Sequence, residues 1–316
     1  MKERKEMVLI ALGGNALLQA GEIGSAEVQI KHVQDSVPRF IELIDAGYKI
    51  AITHGNGPQV GDILLRNEMC RDTLPSMPLD VCGAQSQGQI GYMIQRELYN
   101  GLAHAKKNIP VACVLTQVLV NSHDPAFKNP TKPIGPFYTE DQAKHLQKEK
   151  NWTMVYQQNK GHRRVVPSPE PIDIIEGEEI KTLIDNDMII ISCGGGGIPV
   201  IRDEHGALKG VEAVIDKDRT AAVLAKKIGA QILMILSDVD QVAINFGKPN
   251  QKNIDKISLE EAKKYIAEGQ FGKGSMQPKV EAACQFVKQG GKRAIITSLE
   301  KCKLALDGRT GTVITL

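Results

Sequence analysis

Short apolar runs alternate along the chain with segments whose apolar positions recur every three or four residues. The short runs are rich in isoleucine and valine and indicate strands at residues 7–12, 48–54, 109–120, 188–193, 231–238, 293–298 and 311–316. The segments between them follow the helical period, as at Val33, Val37, Phe40, Ile41 and Ile44. This alternation predicts an α/β protein with a mostly parallel sheet whose two faces are covered by helices.

The segment 121–171 departs from this rhythm. It is rich in proline and polar residues, contains a helix-capping signal at Thr139 to Gln142, and has a turn at 159–161. We expect it to form a small hairpin-bearing subdomain that lies outside the main sheet. This segment is part of an amino-terminal lobe that spans residues 1–186. A carboxyl-terminal lobe spans residues 187–316. Both lobes are expected to share one continuous sheet.

The charge, the apolar stretches and the cysteines of the chain indicate which classes of partner it can bind. The chain has 316 residues and a net charge of +2, and its basic residues are interspersed with acidic ones. The small group His162-Arg163-Arg164 is interpreted as solvated surface charge, not as a nucleic-acid-binding stripe. No apolar stretch approaches the ~20 residues of a membrane span. The six cysteines are scattered, without a C-x-x-C pair. These features argue against nucleic-acid and membrane partners and favour a reduced, cytoplasmic protein.

Three glycine clusters each follow a predicted strand: Gly13-Gly14, Gly55-Asn56-Gly57 and Gly194–Gly197. Ligands of open α/β sheets bind beyond the carboxyl ends of the strands, where exposed backbone N–H groups and helix amino termini favour anions. The P-loop pattern and the G-x-G-x-x-G pattern are both absent, so neither standard nucleotide motif applies. One such cluster is as easily a tight turn, but three in corresponding places favour phosphate binding. His54, just before the second cluster, is expected to pack or hydrogen-bond at its strand end.

Lysines supply candidate positive charge beside these turns. Lys217 and Lys279 lie at predicted helix amino termini, where a cation is unfavourable unless an anion binds there. Asp218 is placed to cap the helix that follows Lys217. Lys132, which stands between prolines in the 121–171 segment, could close over a ligand. For any one lysine a solvated surface role remains the alternative.

Eight motifs in order resemble the pattern of the carbamate kinases within the amino acid kinase family. They are ALGGNALL, THGNGPQVG, DVCGAQSQGQIGY, DPAFKNPTKPIGPFY, RRVVPSPEP, CGGGGIPV, EAVIDKD and GSMQPKVEAA, and the resemblance runs from Leu9 to the carboxyl terminus. It implies a three-layer αβα sandwich with an open sheet of about eight strands, a small protruding subdomain and a homodimer. It also implies reversible phosphoryl transfer between ATP and carbamate with Mg²⁺, used for ATP formation in the catabolism of arginine and carbamoyl phosphate.

The same resemblance assigns roles by motif. Lys132, Lys217 and Lys279 would be catalytic, with Asp218 holding the lysines in register. Carbamate or carbamoyl phosphate would contact Gly13, Gly14, Asn15, Gly55, Asn56, Gly57, Gly195 and Gly196. ATP or ADP would contact Ser237, Asp238, Asp240, Gly274, Ser275 and Met276. Mg²⁺ would accompany the nucleotide, and no residue is assigned as a metal ligand of the protein. The four-glycine run would be a phosphate-binding turn between the two substrates.

Three other interpretations compete with this one. A kinase for a larger acceptor such as N-acetylglutamate would need a cationic pocket for a second carboxylate, and no motif indicates one. A nicotinamide-dependent dehydrogenase is disfavoured by the failed dinucleotide pattern. A nucleotide-binding sensor without turnover would not require three lysines together with Asp218.

Overall fold

A computed structural model describes residues 6–14, 17–19 and 21–316 of the chain. The strands are β1 Met7–Leu12, β2 Lys49–His54, β3 Val111–Cys113, β4 Gln117–Val120, β5 Lys132–Tyr138, β6 Thr153–Gln157, β7 Gly161–Val166, β8 Pro171–Ile174, β9 Ile189–Ile191, β10 Ile198–Arg202, β11 Leu208–Gly210, β12 Ile232–Ser237, β13 Val242–Ile244, β14 Lys252–Ile254, β15 Lys256–Ser258, β16 Arg293–Ser298 and β17 Thr312–Thr315. The α-helices are α1 Ala26–Asp45, α2 Gly57–Met69, α3 Leu79–His104, α4 Glu140–Lys150, α5 Gly177–Asp185, α6 Lys217–Lys227, α7 Leu259–Ala267, α8 Met276–Lys288 and α9 Cys302–Leu306.

The main sheet has eight strands in the order β15–β17–β16–β12–β1–β2–β9–β3. Neighbouring strands are parallel except for β16 and β17. The sheet combines strands from both sides of residue 186. An open, mostly parallel sheet of eight strands agrees with the fold class predicted from the sequence.

Two hydrophobic cores lie on opposite faces of this sheet. Along β1, Leu9 and Ala11 pack on the face that carries α5 to α8, whereas Val8, Ile10 and Leu12 pack on the face that carries α1, α3 and α9. Every residue of β1 is buried, because successive side chains of a strand point to opposite faces and both faces are covered. The arrangement is the predicted three-layer αβα sandwich.

The segment 121–171 contributes a separate three-stranded sheet, in the order β5–β7–β6, which packs with α4. Helix α4 begins with the predicted capping box, in which Thr139 accepts from the backbone of Gln142 and Gln142 accepts from the backbone of Thr139. The β6–β7 hairpin turns between Gln157 and Gly161, which includes the predicted turn at 159–161. This small sheet carries Lys132, at the start of β5, to the edge of the main body.

One predicted element is wrong. Residues 109–120 do not form a single strand, because β3 joins the main sheet and β4 joins a four-stranded sheet, β11–β10–β4–β8. The break lies at Thr116, whose backbone N–H donates to Gln87 Oε1 at 2.8 Å and whose carbonyl accepts from Gln87 Nε2 at 3.1 Å. The buried side chain of Gln87 on α3 thus takes over the backbone pairing that a continuous strand would have made.

Within the part of the chain that the structure describes, no helix has both the length and the apolar character needed to cross a bilayer.

Candidate active site

The candidate active site is a cleft at the carboxyl edge of the main sheet. The turns after five neighbouring parallel strands, β16, β12, β1, β2 and β9, contribute to its lining. The cleft has a volume of about 940 Å³, near the upper end of the range for small-molecule sites. Its lining includes Gly13, Gly14, Gly55, Asn56, Gly57, Lys132, Gly195, Lys217, Asp218, Ser237, Asp238, Gly274, Ser275 and Lys279. Most residues singled out in the sequence therefore meet at one place.

Three of the described residues that were singled out are not found in this lining. Gly196 packs behind the wall of the cleft, and Met276 is half-buried against the hydrophobic core. Asp240 lies one contact away, since its carboxylate accepts a hydrogen bond at 2.5 Å from Ser298 Oγ, and Ser298 lines the cleft. Asn15 lies outside the described residues.

The four-glycine run is a close-packed junction, and only Gly195 lines the cleft. A Cβ at Gly194 would lie 2.4 Å from the ring of His54, one at Gly195 would lie 2.1 Å from Asn56 Nδ2, and one at Gly196 would lie 2.2 Å from the carbonyl oxygen of Ile215. Residues 195–197 also have positive φ angles, which glycine adopts without strain. The run therefore lets the β9 turn fit against the β2 turn and the start of α6, and most of it is structural.

A buried carboxylate joins two lysines at the centre of the cleft. Lys217 Nζ donates to Asp218 Oδ1 at 2.5 Å, and Lys279 Nζ donates to Asp218 Oδ2 at 2.9 Å. Lys217 is the first residue of α6 and Lys279 is in the first turn of α8, so the pair brings two helix amino termini together. Both lysine side chains are largely buried, with 14% and 15% of their surface exposed.

The pKa values at this cluster follow from burial and pairing. Burial alone would raise the pKa of Asp218, but the ammonium groups of Lys217 and Lys279 outweigh it and hold the pKa at about 2. Burial lowers the pKa of Lys217, and Asp218 opposes that shift. The carboxylate is ionised at neutral pH and stabilises the charge of the buried ammonium groups.

A second carboxylate, Asp216, organises the start of α6. Its side chain accepts from the backbone N–H groups of Asp218 and Arg219, so Asp216 is the helix cap. The prediction that Asp218 caps this helix is wrong, because α6 begins two residues earlier than that role requires. Asp216 also accepts from Lys132 Nζ at 2.9 Å, which ties the small sheet to α6 across the cleft. The sequence did not single out Asp216, although it lies directly before Lys217.

In the part of the chain that the structure describes, two helix amino termini at the cleft make no side-chain capping hydrogen bond. Asn56 at the start of α2 and Ser275 at the start of α8 make no capping hydrogen bond with their side chains. Asn56 Nδ2 instead donates to Ser86 Oγ at 2.8 Å. Backbone N–H groups at such termini attract anions, and here they surround a cleft that also contains lysines.

His54 is buried beneath the glycine run and is uncharged at neutral pH. Burial lowers its pKa to about 4, and its ring Nδ1 hydrogen-bonds to the carbonyl of Gly55 at 2.9 Å. The imidazole packs against Gly194, as expected for a histidine at a strand end.

Arg163 is a cleft residue that the sequence interpretation missed. The sequence pattern predicts solvated surface charge for His162-Arg163-Arg164, but Arg163 lines the cleft and the side chain of Arg164 is only 12% exposed. Alternation along β7 places the two arginines on opposite faces of the small sheet. The pairing of β7 with β5, the strand that carries Lys132, is the signal that could have shown which of the two arginines faces the cleft.

An open, mostly parallel α/β sheet whose carboxyl edge joins three lysines, glycine turns and helix amino termini defines a class of protein that binds phosphate groups and nucleotides. The chain matches the model of the amino acid kinase family over residues 6–298 and belongs to this family.

Three relatives illustrate the similarity. The carbamate kinase of Thermococcus kodakarensis is 50% identical over 97% of this chain and 98% of its own length. The carbamate kinase of Clostridium perfringens is 49% identical over 97% of this chain and 99% of its own length. The structure of carbamate kinase from Giardia lamblia bound to AMP-PNP superposes with a TM-score of 0.94 at 44% identity, covering 98% of each chain.

Proposed function

We propose that this protein is a carbamate kinase, which reversibly transfers a phosphoryl group between ATP and carbamate to give ADP and carbamoyl phosphate. The observation that carries this proposal is identity at about half of all positions with carbamate kinases over nearly the whole chain. The lysine cluster in the cleft supports the same reaction, because phosphoryl transfer brings anions together.

Carbamate is itself an anionic oxygen nucleophile, so the transfer needs no general base. The barrier arises from bringing two anions into line and from the charge on the transferring phosphoryl oxygens. Lys217 and Lys279 would bind those oxygens, since both reach the cleft from helix amino termini. Asp218 would keep the two ammonium groups charged and at a fixed separation.

The two substrates would occupy different walls of the cleft. Gly13, Gly14, Gly55, Asn56 and Gly57, on the turns after β1 and β2, would contact carbamate or carbamoyl phosphate, and Lys132 would approach it from the small sheet. The residues after β12 and before α8, namely Ser237, Asp238, Gly274 and Ser275, would contact the nucleotide. This division corresponds to an amino-terminal lobe, 1–186, for the carbamoyl group and a carboxyl-terminal lobe, 187–316, for ATP or ADP.

Mg²⁺ would enter the site as part of the nucleotide complex. Proteins usually hold this ion through substrate phosphates together with one or two carboxylates. Asp238 lines the cleft at the end of β12 and is available for such a contact, whereas Asp216 and Asp218 are already paired with lysines.

Three further properties belong to the same proposal. The protein would be cytoplasmic, would form ATP during the catabolism of arginine and carbamoyl phosphate, and would be a homodimer. Light scattering tests the last point, since a particle of 34.5 kDa, the mass of one chain, would contradict a dimer.

The acceptor is tested by measuring ADP release from MgATP with different acceptors. We expect release with ammonium plus bicarbonate, which generate carbamate in solution, and none above background with N-acetylglutamate or aspartate. If ADP were released with N-acetylglutamate and not with ammonium plus bicarbonate, the protein would be a kinase of the same fold that acts on a larger carboxylate acceptor, and the carbamate kinase proposal would be wrong.

A further inference from the structure

Arg163 reaches the cleft from the small sheet. It lies on β7, which pairs with β5, and it lines the same cavity as Lys132, Lys217 and Lys279. Its guanidinium lies over the ring of Phe137, 5.2 Å from the ring centroid, and its Nε donates to the carbonyl of Gly135 at 2.9 Å. These contacts fix the side chain, and among the described residues the two terminal nitrogens have no hydrogen-bond acceptor, so they can bind another partner.

Among the described residues, no carboxylate lies within ion-pair distance of Arg163, although the side chain is half-buried. The neighbouring Arg164 differs, since it forms an ion pair with Glu212 and stacks on Trp152, with 4.2 Å between its guanidinium carbon and the ring centroid. Partial burial lowers the pKa of Arg163, which reflects the cost of holding this charge without a counter-ion. A half-buried arginine that lacks a counter-ion, in a cleft that also contains three lysines, is typical of a site for an anionic ligand.

We propose that Arg163 binds the phosphoryl oxygens of carbamoyl phosphate from the small-sheet side of the cleft. This inference rests on the proposed function, since it names a residue for the carbamoyl phosphate side of that reaction. The two terminal nitrogens of arginine match two oxygens of one phosphoryl group, a geometry that lysine does not offer.

The charges of the lysine cluster favour this ligand. In the cluster that Lys132, Lys217 and Lys279 form with Asp216 and Asp218, one positive charge is unmatched, and Arg163 adds a second. The other carboxylates of the lining, Asp35, Asp238 and Glu300, lie outside these ion pairs. Two positive charges complement the phosphoryl group of carbamoyl phosphate, which carries up to two negative charges. Arg163 and Lys132 both belong to the small sheet, whereas the residues assigned to the nucleotide follow β12 and precede α8. In the ATP-forming direction we therefore expect the effect of Arg163 to fall on carbamoyl phosphate and not on ADP.

The test is a comparison of Arg163→Gln, Arg163→Lys and the wild type in ATP formation from MgADP and carbamoyl phosphate. We expect Arg163→Gln to raise the KM for carbamoyl phosphate about 10- to 100-fold, the scale of losing a charge-assisted hydrogen-bond pair. The KM for ADP should change less than about twofold, because no lost contact involves the nucleotide. Arg163→Lys keeps the charge without the paired donors and should recover only part of the loss.

Arg164→Lys is the matched control, since it makes the same change at the adjacent residue on the other face of β7. Its KM for carbamoyl phosphate should stay close to the wild-type value. Equal KM values for carbamoyl phosphate in wild type and Arg163→Gln would overturn the proposal, as would a parallel rise in the KM for ADP. If Arg163→Gln raised the KM only for a larger carboxylate acceptor, Arg163 would bind that carboxylate and not a phosphoryl group. This result would also overturn the proposal.

Failure of the proposed function is distinguishable from failure of this inference. If folded wild type makes no ATP from carbamoyl phosphate, the function fails, and calorimetry with inorganic phosphate then tests Arg163 directly. Weaker phosphate binding by Arg163→Gln at unchanged ADP binding would keep Arg163 as a phosphoryl-binding residue. Equal phosphate binding by the two proteins would overturn it. Thermal unfolding of each variant confirms that it is folded.

Discussion

Replacing Asp218 with asparagine removes the one negative charge shared by Lys217 and Lys279 while nearly preserving the shape of the side chain. Asp218 contacts the two ammonium groups at 2.5 and 2.9 Å, and its side chain is only 5% exposed. Its pKa of about 2, against an ordinary value of 3.8, corresponds to roughly 2 kcal/mol of net stabilisation of the ionised form. Two partly buried lysines then face each other without a counter-ion, so we expect Asp218→Asn to lose roughly 3 kcal/mol of unfolding free energy at pH 7.

The pH dependence separates this effect from a general packing defect. Because the pKa of Asp218 is lowered in the folded state, its stabilising contribution is complete above pH 3.8 and is lost as the pH falls through about 2. The stability difference between wild type and Asp218→Asn should therefore be constant from pH 7 to about pH 5 and should narrow below pH 4. Urea unfolding followed by circular dichroism at several pH values measures it.

Asp307→Asn is the matched control for this substitution. Asp307 contacts Lys303 Nζ at 2.6 Å, but both side chains are 36% exposed, so solvent screens the pair and the change in stability should be much smaller.

Asp218→Asn should also shift the basic limb of the kcat/KM profile to lower pH, because burial already lowers the pKa of Lys217 and Asp218 opposes that shift. An Asp218→Asn protein as stable as wild type at pH 7 would refute the reasoning. A stability difference that persists unchanged below pH 4 would do so as well.

Three further outcomes follow from the same geometry. Lys217→Ala should lower kcat by roughly 10³-fold, the scale of losing one group that stabilises developing charge, and a near-normal rate would reject its role. Gly195→Ala should reduce ATP formation at least tenfold and cost roughly 1–3 kcal/mol of stability, because φ is +68° and the added Cβ meets a side chain at 2.1 Å. Gly206→Ala, with φ of +81° and nothing within 4 Å, should keep full activity, and equal activity of the two variants would contradict the packing argument. The pKa of His54 is about 4 in the folded protein, below its ordinary 6.5, so the unfolded chain binds a proton at His54 first as the pH falls. Acidification from pH 7.5 to 4.5 should therefore lower the unfolding free energy of the wild type by roughly 3 kcal/mol. Urea unfolding measures this loss, which should be missing in His54→Gln.

The main sheet and the position of its ligand edge could be predicted because they depend on local patterns. Buried strands of a parallel sheet are apolar along their whole length, and the glycine turns directly follow them in the sequence. Parallel strands place their carboxyl ends at one edge, so Gly13, Gly55 and Gly195 meet there without any further information. The lysines at helix amino termini were recognisable for the same reason, since each lies within one turn of a helix start.

The features that sequence reasoning missed depend on contacts between distant segments. The break at Thr116 is set by Gln87, which lies 29 residues away on α3 and cannot be read from the apolar run itself. The cap of α6 depends on where that helix begins, and a shift of two residues in its start would move the capping role from Asp216 to Asp218. Arg163 and Arg164 have the same chemistry, and only the packing of the small sheet decides which of them faces the cleft.

The most direct test of the central claim is ATP formation from ADP, Mg²⁺ and carbamoyl phosphate, with wild type and Lys279→Ala assayed side by side. Lys279 contacts Asp218 at 2.9 Å and lines the cleft, so its loss should remove a stabiliser of the transferring phosphoryl group. We expect rapid ATP formation by wild type and a rate roughly 10³-fold lower for folded Lys279→Ala. No ATP from folded wild type, or equal rates for the two proteins, would contradict it.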